Sequence, residues 1–338
     1  MRNPMIYLCS IATAVMLLTS TATSAATTAK QQKTVKTSSA KKKAVHKKVA
    51  QKKGAKSSVS KRATAHARRS IQVSRVSAAP TTLAHPGLQS GSALVMNGLT
   101  GEIIYAKHPD TLTPIASITK LMTAMVVLDA QQPLSELISI SHDDIDTLKG
   151  TRSRLTPGLT LTRGEMLLLA LMSSENRAAS ALARHYPGGR DAFIAKMNEK
   201  AASLGMKSTR FLDSTGLNPG NVSTPRELAL MVQAAHRYST IQQYSTSVEY
   251  SFISNMNKRP LVFHNTNPLV KSDKWEIGVS KTGYISEAGR CLVMQTTIGN
   301  APVVMVLMDS NGKNTRVGDA SRIRKWLEAH STSKTREG

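Results

Sequence analysis

Two side chains three residues apart open the chemical reading of this chain: Ser117 and Lys120, in Ser117-Ile118-Thr119-Lys120. The stretch opens an apolar run that reads as a helix over 115–130, preceded by Pro114. Positions i and i+3 share a helix face, so Lys120 stands one turn beyond Ser117, beside its hydroxyl. Leu121, Met122 and Met125 bury the surroundings. Desolvation disfavours an ammonium, so a lysine held there can take the serine proton and leave a nucleophile. The same helix start offers backbone N–H groups to an oxyanion. The pattern is weak by itself, because Ser-x-x-Lys recurs five more times, three of them in a lysine-dense segment. An ordinary helix start with a lysine reaching for solvent would look the same.

Two further groups follow in order. Ser174-Glu175-Asn176 is the sole Ser-x-Asn of the chain and lies between two helical runs. There Ser174 can relay a proton, and Asn176 can both donate to and accept from a substrate amide. A plain helix cap by Ser174 is the alternative. Lys281-Thr282-Gly283, also unique, ends a strand-like run from Trp275. On an edge strand Lys281 and Thr282 would offer a charge and a hydroxyl to a carboxylate, with Gly283 keeping the wall open for a substrate backbone. The N–H of Tyr284 would complete an oxyanion hole with that of Ser117. A strand end with a turn glycine is the bland alternative. The three groups together describe a serine enzyme that attacks an amide ending in a carboxylate.

The elements that must position these residues run strands, helices, strands, helix. Ser92–Asn97 and Glu102–Ala106 read as a hairpin, and Leu155–Leu161 as extended with a turn at Pro157-Gly158. Helical periodicity covers 163–172, 175–186, 190–204 and 225–238, the last opened by Thr224 with Glu227 as in a capping box. Strands at 275–282, 291–298 and 302–308 form an antiparallel meander, and a final helix over 319–330 carries Ile323, Trp326 and Leu327 on one face. The expected fold class is α+β: an antiparallel sheet built from both ends of the chain, flanked by helices, with a helical lobe and the active site between them.

Charge is uneven. Arg2 and sixteen Lys or Arg between Lys30 and Arg75 supply seventeen of the +24, and no Asp or Glu precedes Glu102. Residues 1–26 read as an export signal that is cleaved: Arg2, an apolar stretch from Met5 to Leu18, then small residues. Residues 27–84 read as a basic, non-periodic linker with weak, salt-sensitive attraction to an anionic envelope. Nucleic-acid binding fits the charge but not export, so none is expected. Residues 85–331 form the catalytic domain and 332–338 a polar tail. Removing the signal leaves Cys291 as the one cysteine, in the apolar run Cys291-Leu292-Val293-Met294, which reads as a buried thiol. The nine His are scattered, no His-x-x-x-His occurs, and no glycine-rich phosphate loop is present; no metal and no cofactor are expected.

The three motifs resemble those of the penicillin-binding protein and serine β-lactamase superfamily. Pro114–Ala130, Met166–Ala178, Tyr186-Pro187-Gly188-Gly189, Ser214-Thr215-Gly216-Leu217 and His264-Asn265-Thr266-Asn267 are similar to low-molecular-mass D-alanyl-D-alanine endopeptidases of the penicillin-binding protein 7 type. The likeness covers about His85 to Ala329 and leaves the basic segment outside. It implies a periplasmic enzyme in which Ser117 attacks a D-alanyl carbonyl of a peptidoglycan stem peptide. Lys120 would be the base, and water would release the acyl-enzyme. β-Lactams would trap Ser117 covalently. Glu175 stands where many members carry Asp. A D,D-carboxypeptidase is the alternative, although such relatives usually carry a further β domain or C-terminal anchor that is not seen here. A wall-binding module without activity is a third reading. The helix after Thr224 lacks the Glu-x-x-x-Asn pair of class A β-lactamases, so slow drug release is expected.

Overall fold

The computed structural model describes residues 85–334. The export signal at 1–26, the basic segment at 27–84 and residues 335–338 lie outside the described residues. In chain order the elements are β1 (Ser92–Asn97), β2 (Ile103–Lys107), β3 (Thr113–Pro114), α1 (Thr119–Asp129), β4 (Leu137–Ser139) and β5 (Thr160–Thr162). Then come α2 (Arg163–Met172), α3 (Asn176–Arg184), α4 (Gly189–Ser203), β6 (Val222–Ser223), α5 (Pro225–Ala235) and α6 (Ser239–Thr246). The chain finishes with β7 (Glu249–Ile253), β8 (Pro260–His264), β9 (Glu276–Ile285), β10 (Gly289–Ile298), β11 (Ala301–Ser310) and α7 (Thr315–Lys334).

Five antiparallel strands form the main sheet in the order β2-β1-β11-β10-β9. Strand side chains alternate between faces, and both faces are covered, so the central strands are apolar throughout. Leu94, Val293, Val304 and Val306 face the helical lobe, while Val95, Leu292, Met305 and Leu307 face α7 through Ala320 and Ile323. The lobe is organised around α1, which is buried from Thr119 to Val127, as an apolar helix without a polar face must be. α2 is closed at its start by a reciprocal Thr162–Glu165 capping box. The fold is α+β, with the helical lobe on one side of an antiparallel sheet whose edge strands are β2 and β9.

Several elements depart from the sequence reading. Residues 116–118 form a 3-10 turn and α1 starts only at Thr119, so Ser117 precedes the helix rather than opening it. Of the extended stretch 155–161, only Thr160 and Leu161 fall in a strand. The helix read over 225–238 stops at Ala235, and α6 and the β7–β8 hairpin were not foreseen. Thr224 caps Glu227 N at 3.2 Å, but the Glu227 carboxylate turns to Ser208 N and Thr209 Oγ1 at 2.8 and 2.6 Å, leaving the box half made.

Candidate active site

Ser117 sits on a turn that two glycines confine. Ala116 is held in the left-handed region at φ 48°, which turns the chain sharply into Ser117. Gly216, itself at φ 82°, lies so close that a Cβ there would stand 1.9 Å from Ala116 O. On the other side, a Cβ on Gly283 would stand 3.0 Å from Ile115 O and 3.1 Å from Ser117 N. The sequence reading gave Gly283 the task of keeping the wall open; its missing side chain instead lets β9 press against the Ser117 turn.

Lys120 is fully buried in the first turn of α1. Its Nζ lies 2.8 Å from Ser117 Oγ, 2.7 Å from Asn176 Oδ1 and 2.6 Å from Thr215 O. Burial pushes its pKa down to about 7, against the partly restoring charges of Asp213 and Glu175. The carbonyl of Thr215 is aimed by Asp213, which accepts the N–H groups of Thr215, Gly216 and Asn218 at 2.9, 2.6 and 2.8 Å. Asn221 Nδ2 donates to the same carboxylate at 3.0 Å.

The second group joins the lobe to the sheet. Ser174 is left-handed, at φ 63°, a conformation that costs a non-glycine residue about 1–3 kcal/mol and gathers at functional sites. It does not cap α3: the N-cap is Glu175, and no side chain caps it. Ser174 Oγ instead meets Lys281 Nζ at 2.9 Å. Glu175 accepts from Ser153 Oγ at 2.6 Å, and burial raises its pKa despite that bond. Asn176 begins α3 and turns its amide to Lys120.

The third group lies on the edge strand. Lys281 is buried and also donates to Thr282 O at 2.9 Å. Burial, then the charges of Lys120 and Arg316, hold its pKa well below the ordinary lysine range. Thr282 Oγ1 pairs with Thr266 Oγ1 at 2.7 Å, and Asn267 Nδ2 reaches Ser280 Oγ at 2.9 Å, so the 264–267 segment braces β9. Tyr284 is exposed at the rim, with the Arg290 guanidinium 4.4 Å above its ring.

Direct hydrogen bonds therefore form two sets, Ser117–Lys120–Asn176 and Ser174–Lys281, with Thr282 and Gly283 adjoining on β9. Sequence reasoning missed three contributors. Thr215 acts through a backbone carbonyl, which carries no residue signature. Asp213 is an isolated acid whose hydrogen bonds are local. Arg316, in the first turn of α7, has a buried Nε without a hydrogen-bond partner and adds positive charge beside Lys281. Only its basic character was legible.

A serine hydrogen-bonded to a buried lysine is an arrangement suited to covalent catalysis by an activated hydroxyl. The chain belongs to the D-alanyl-D-alanine carboxypeptidase family, whose sequence pattern matches residues 79–312. It is 51% identical over 251 residues to a D-alanyl-D-alanine endopeptidase of Escherichia coli, covering 74% of this chain and 81% of that protein. A D-alanyl-D-alanine endopeptidase of Pseudomonas aeruginosa is 49% identical over 257 residues, covering 75% and 83%. The crystal structure of a Streptomyces DD-transpeptidase superposes with a TM-score of 0.67 at 30% identity, covering 72% of this chain and 98% of that one.

Proposed function

We propose that the chain is a serine D,D-endopeptidase that hydrolyses D-alanyl crosslinks between peptidoglycan stem peptides through a Ser117 acyl-enzyme. The observation that carries the reading is the buried Lys120 amine, 2.8 Å from Ser117 Oγ with a pKa of about 7. Near neutral pH much of it is a free base with the serine proton in reach.

Neutral Lys120 takes the Ser117 proton as Oγ bonds to the D-alanyl carbonyl carbon. The oxyanion lies between the N–H groups of Ser117 and Tyr284. Collapse breaks the C–N bond, and the leaving amine takes a proton from Lys120 or by way of Ser174. Water then attacks the ester carbon as Lys120 takes one of its protons, and Lys120 returns that proton to Ser117 Oγ as the ester C–O bond breaks. Lys281, Thr282 and Arg316 receive the carboxylate beside the scissile amide. Its arrival stabilises the ammonium of Lys281, which burial otherwise disfavours. β-Lactams acylate Ser117 by the same first step and leave slowly. Asn176 aligns the substrate amide.

Endopeptidase is chosen over carboxypeptidase because both relatives near half identity carry that name. The proposed organisation is an export signal at 1–26, a basic linker at 27–84, the catalytic domain at 85–331 and a polar tail at 332–338, with the enzyme working in the periplasm. Among the described residues no helix is long and apolar enough to cross a membrane. The linker adds weak electrostatic attraction to anionic envelope polymers.

Mass spectrometry of products from crosslinked dimeric muropeptide and monomeric pentapeptide, with Ser117→Ala as control, tests the reading. Conversion of dimer to monomers with pentapeptide untouched is expected. Loss of one alanine from pentapeptide with dimer intact would make the enzyme a carboxypeptidase.

A further inference from the structure

The side chain of Asn176 ends in two chemically opposite edges, an accepting oxygen and a donating NH2. Oδ1 lies 2.7 Å from Lys120 Nζ, and Nδ2 lies 3.1 Å from Thr151 Oγ1. Turned over, the amide would aim two N–H bonds at the amine. Its direction is fixed from outside the three motifs.

Asp146, as a carboxylate, can only accept. One of its oxygens takes the N–H groups of Leu148 and Lys149 at 2.8 and 3.0 Å. The other takes the backbone N–H of Thr151 at 2.8 Å and its hydroxyl at 2.7 Å. Burial works against its charge, but the N–H bonds from Lys149 and Thr151 outweigh it and hold the carboxyl below its usual range. The single hydroxyl hydrogen of Thr151 is thus committed to Asp146. Its oxygen has only a lone pair to show Asn176, so Asn176 must present Nδ2 there and Oδ1 to Lys120.

That order settles the hydrogens on Lys120. A neutral amine has two N–H bonds and one lone pair. Asn176 Oδ1 and the Thr215 carbonyl can only accept, so they take both hydrogens. The lone pair is left facing Ser117. We propose that Asp146 and Thr151 are positioning residues which, through the Asn176 amide, set the direction of proton transfer between Ser117 and Lys120. The inference rests on the Ser117 acyl-enzyme reading.

The charged groups bearing on Lys120 are Asp213 in the loop before β6, Glu175 ahead of α3, and Lys281 on β9. Thr151 is none of these, so replacing it alters no charge. The test follows acylation of the full chain by a fluorescent penicillin across pH in Thr151→Val and Thr151→Ser. In Thr151→Val the amide is free to turn. The ammonium loses an acceptor and the free amine aims its lone pair at Asn176. The plateau rate then falls, on the order of 10- to 100-fold of the general-base contribution, while the acid limb moves to lower pH. Thr151→Ser restores both.

A role confined to loop packing predicts the opposite limb. Water admitted to Lys120 would return its pKa toward the ordinary lysine value and move the limb to higher pH. That result, or a Thr151→Val profile matching wild type, overturns the proposal. Thr151 is half-buried; if valine lowers the melting temperature, Thr151→Ala repeats the measurement without added bulk, with the same two outcomes. Ser117→Ala separates the levels. Labelling of that variant overturns the acyl-enzyme reading itself, whereas an unlabelled Ser117→Ala with an unchanged Thr151→Val overturns only the positioning role.

Discussion

Adding one methyl group at Gly216 should disable Ser117, the proposed nucleophile, without touching any side chain of the proposed machinery. The new Cβ would lie 1.9 Å from Ala116 O, 2.3 Å from Ala116 C and 2.9 Å from Ser117 N. These are backbone atoms that no rotamer change can move aside. Even opening the first contact to 3.0 Å requires the peptide before Ser117 to retreat by roughly 1 Å, and a misplacement of that size costs on the order of 100-fold in rate. The left-handed φ of 82° adds about 1–2 kcal/mol of strain for alanine. Gly205 supplies the control: its φ is 78°, yet nothing lies within 4 Å of its Cβ position. Gly205→Ala therefore carries the strain without the displacement. We expect both variants to melt lower, by about 2–4 °C per kcal/mol lost, and only Gly216→Ala to lose acylation by a fluorescent penicillin. Gly283→Ala, with contacts no shorter than 3.0 Å, should fall between them. Acylation of Gly216→Ala at the wild-type rate, or an equal loss in Gly205→Ala, would refute the claim that these glycines set the position of Ser117.

Three further outcomes are expected. With Lys120 at about 7, the acylation rate should fall tenfold per pH unit below that point, and an acid limb near pH 10 would contradict the buried amine. The same shift affects stability. Between about 7 and 10.5 the unfolded chain binds the Lys120 proton and the folded chain does not, so this group adds stability as pH rises. Denaturant titrations should accordingly show Lys120→Met more stable than wild type at pH 7, by on the order of a few kcal/mol, with the gap closing toward pH 10. Cys291, whose thiol burial pushes up to about 12, should resist iodoacetamide in the native protein and react only after unfolding, as read by mass of its peptide. Rapid native labelling would show that β10 is not the covered strand described.

Much of this site was legible because its chemistry is written in side chains at short spacing. Ser117 and Lys120 are three residues apart, and the apolar run after them announces burial. Lys281-Thr282-Gly283 closes a run with strand character, and β9 lies at the edge on which that group was read. What escaped was backbone and distance. Nothing in Thr215 marks its carbonyl as a ligand of an amine 95 residues away. The left-handed turns at Ala116 and Ser174 use residue types that do not advertise them. The β7–β8 hairpin was missed because its hydropathy does not follow its burial: exposure alternates along both strands, but the exposed positions include the apolar Ile253 and Val262, which blurs the period. α6 is short and polar, with Ile241 and Ser245 its buried residues, too few to show a period.

The sheet has a consequence for the order of assembly. β1 is paired on one side with β2, a few residues on, and on the other with β11, where Ser92 meets Met308. A chain made from its N-terminus holds the β1–β2 hairpin long before β11 exists, and an isolated hairpin is marginal in water. Closing that span is a long-range, entropically late event, while the helices between are local and early. The Ser117 turn is braced by Gly283 on β9, so its shape arrives with the last strands. On the proposed Ser117 acyl-enzyme reading, covalent capture by a β-lactam counts finished molecules, because the Ser117 turn takes its shape only with β9 in place.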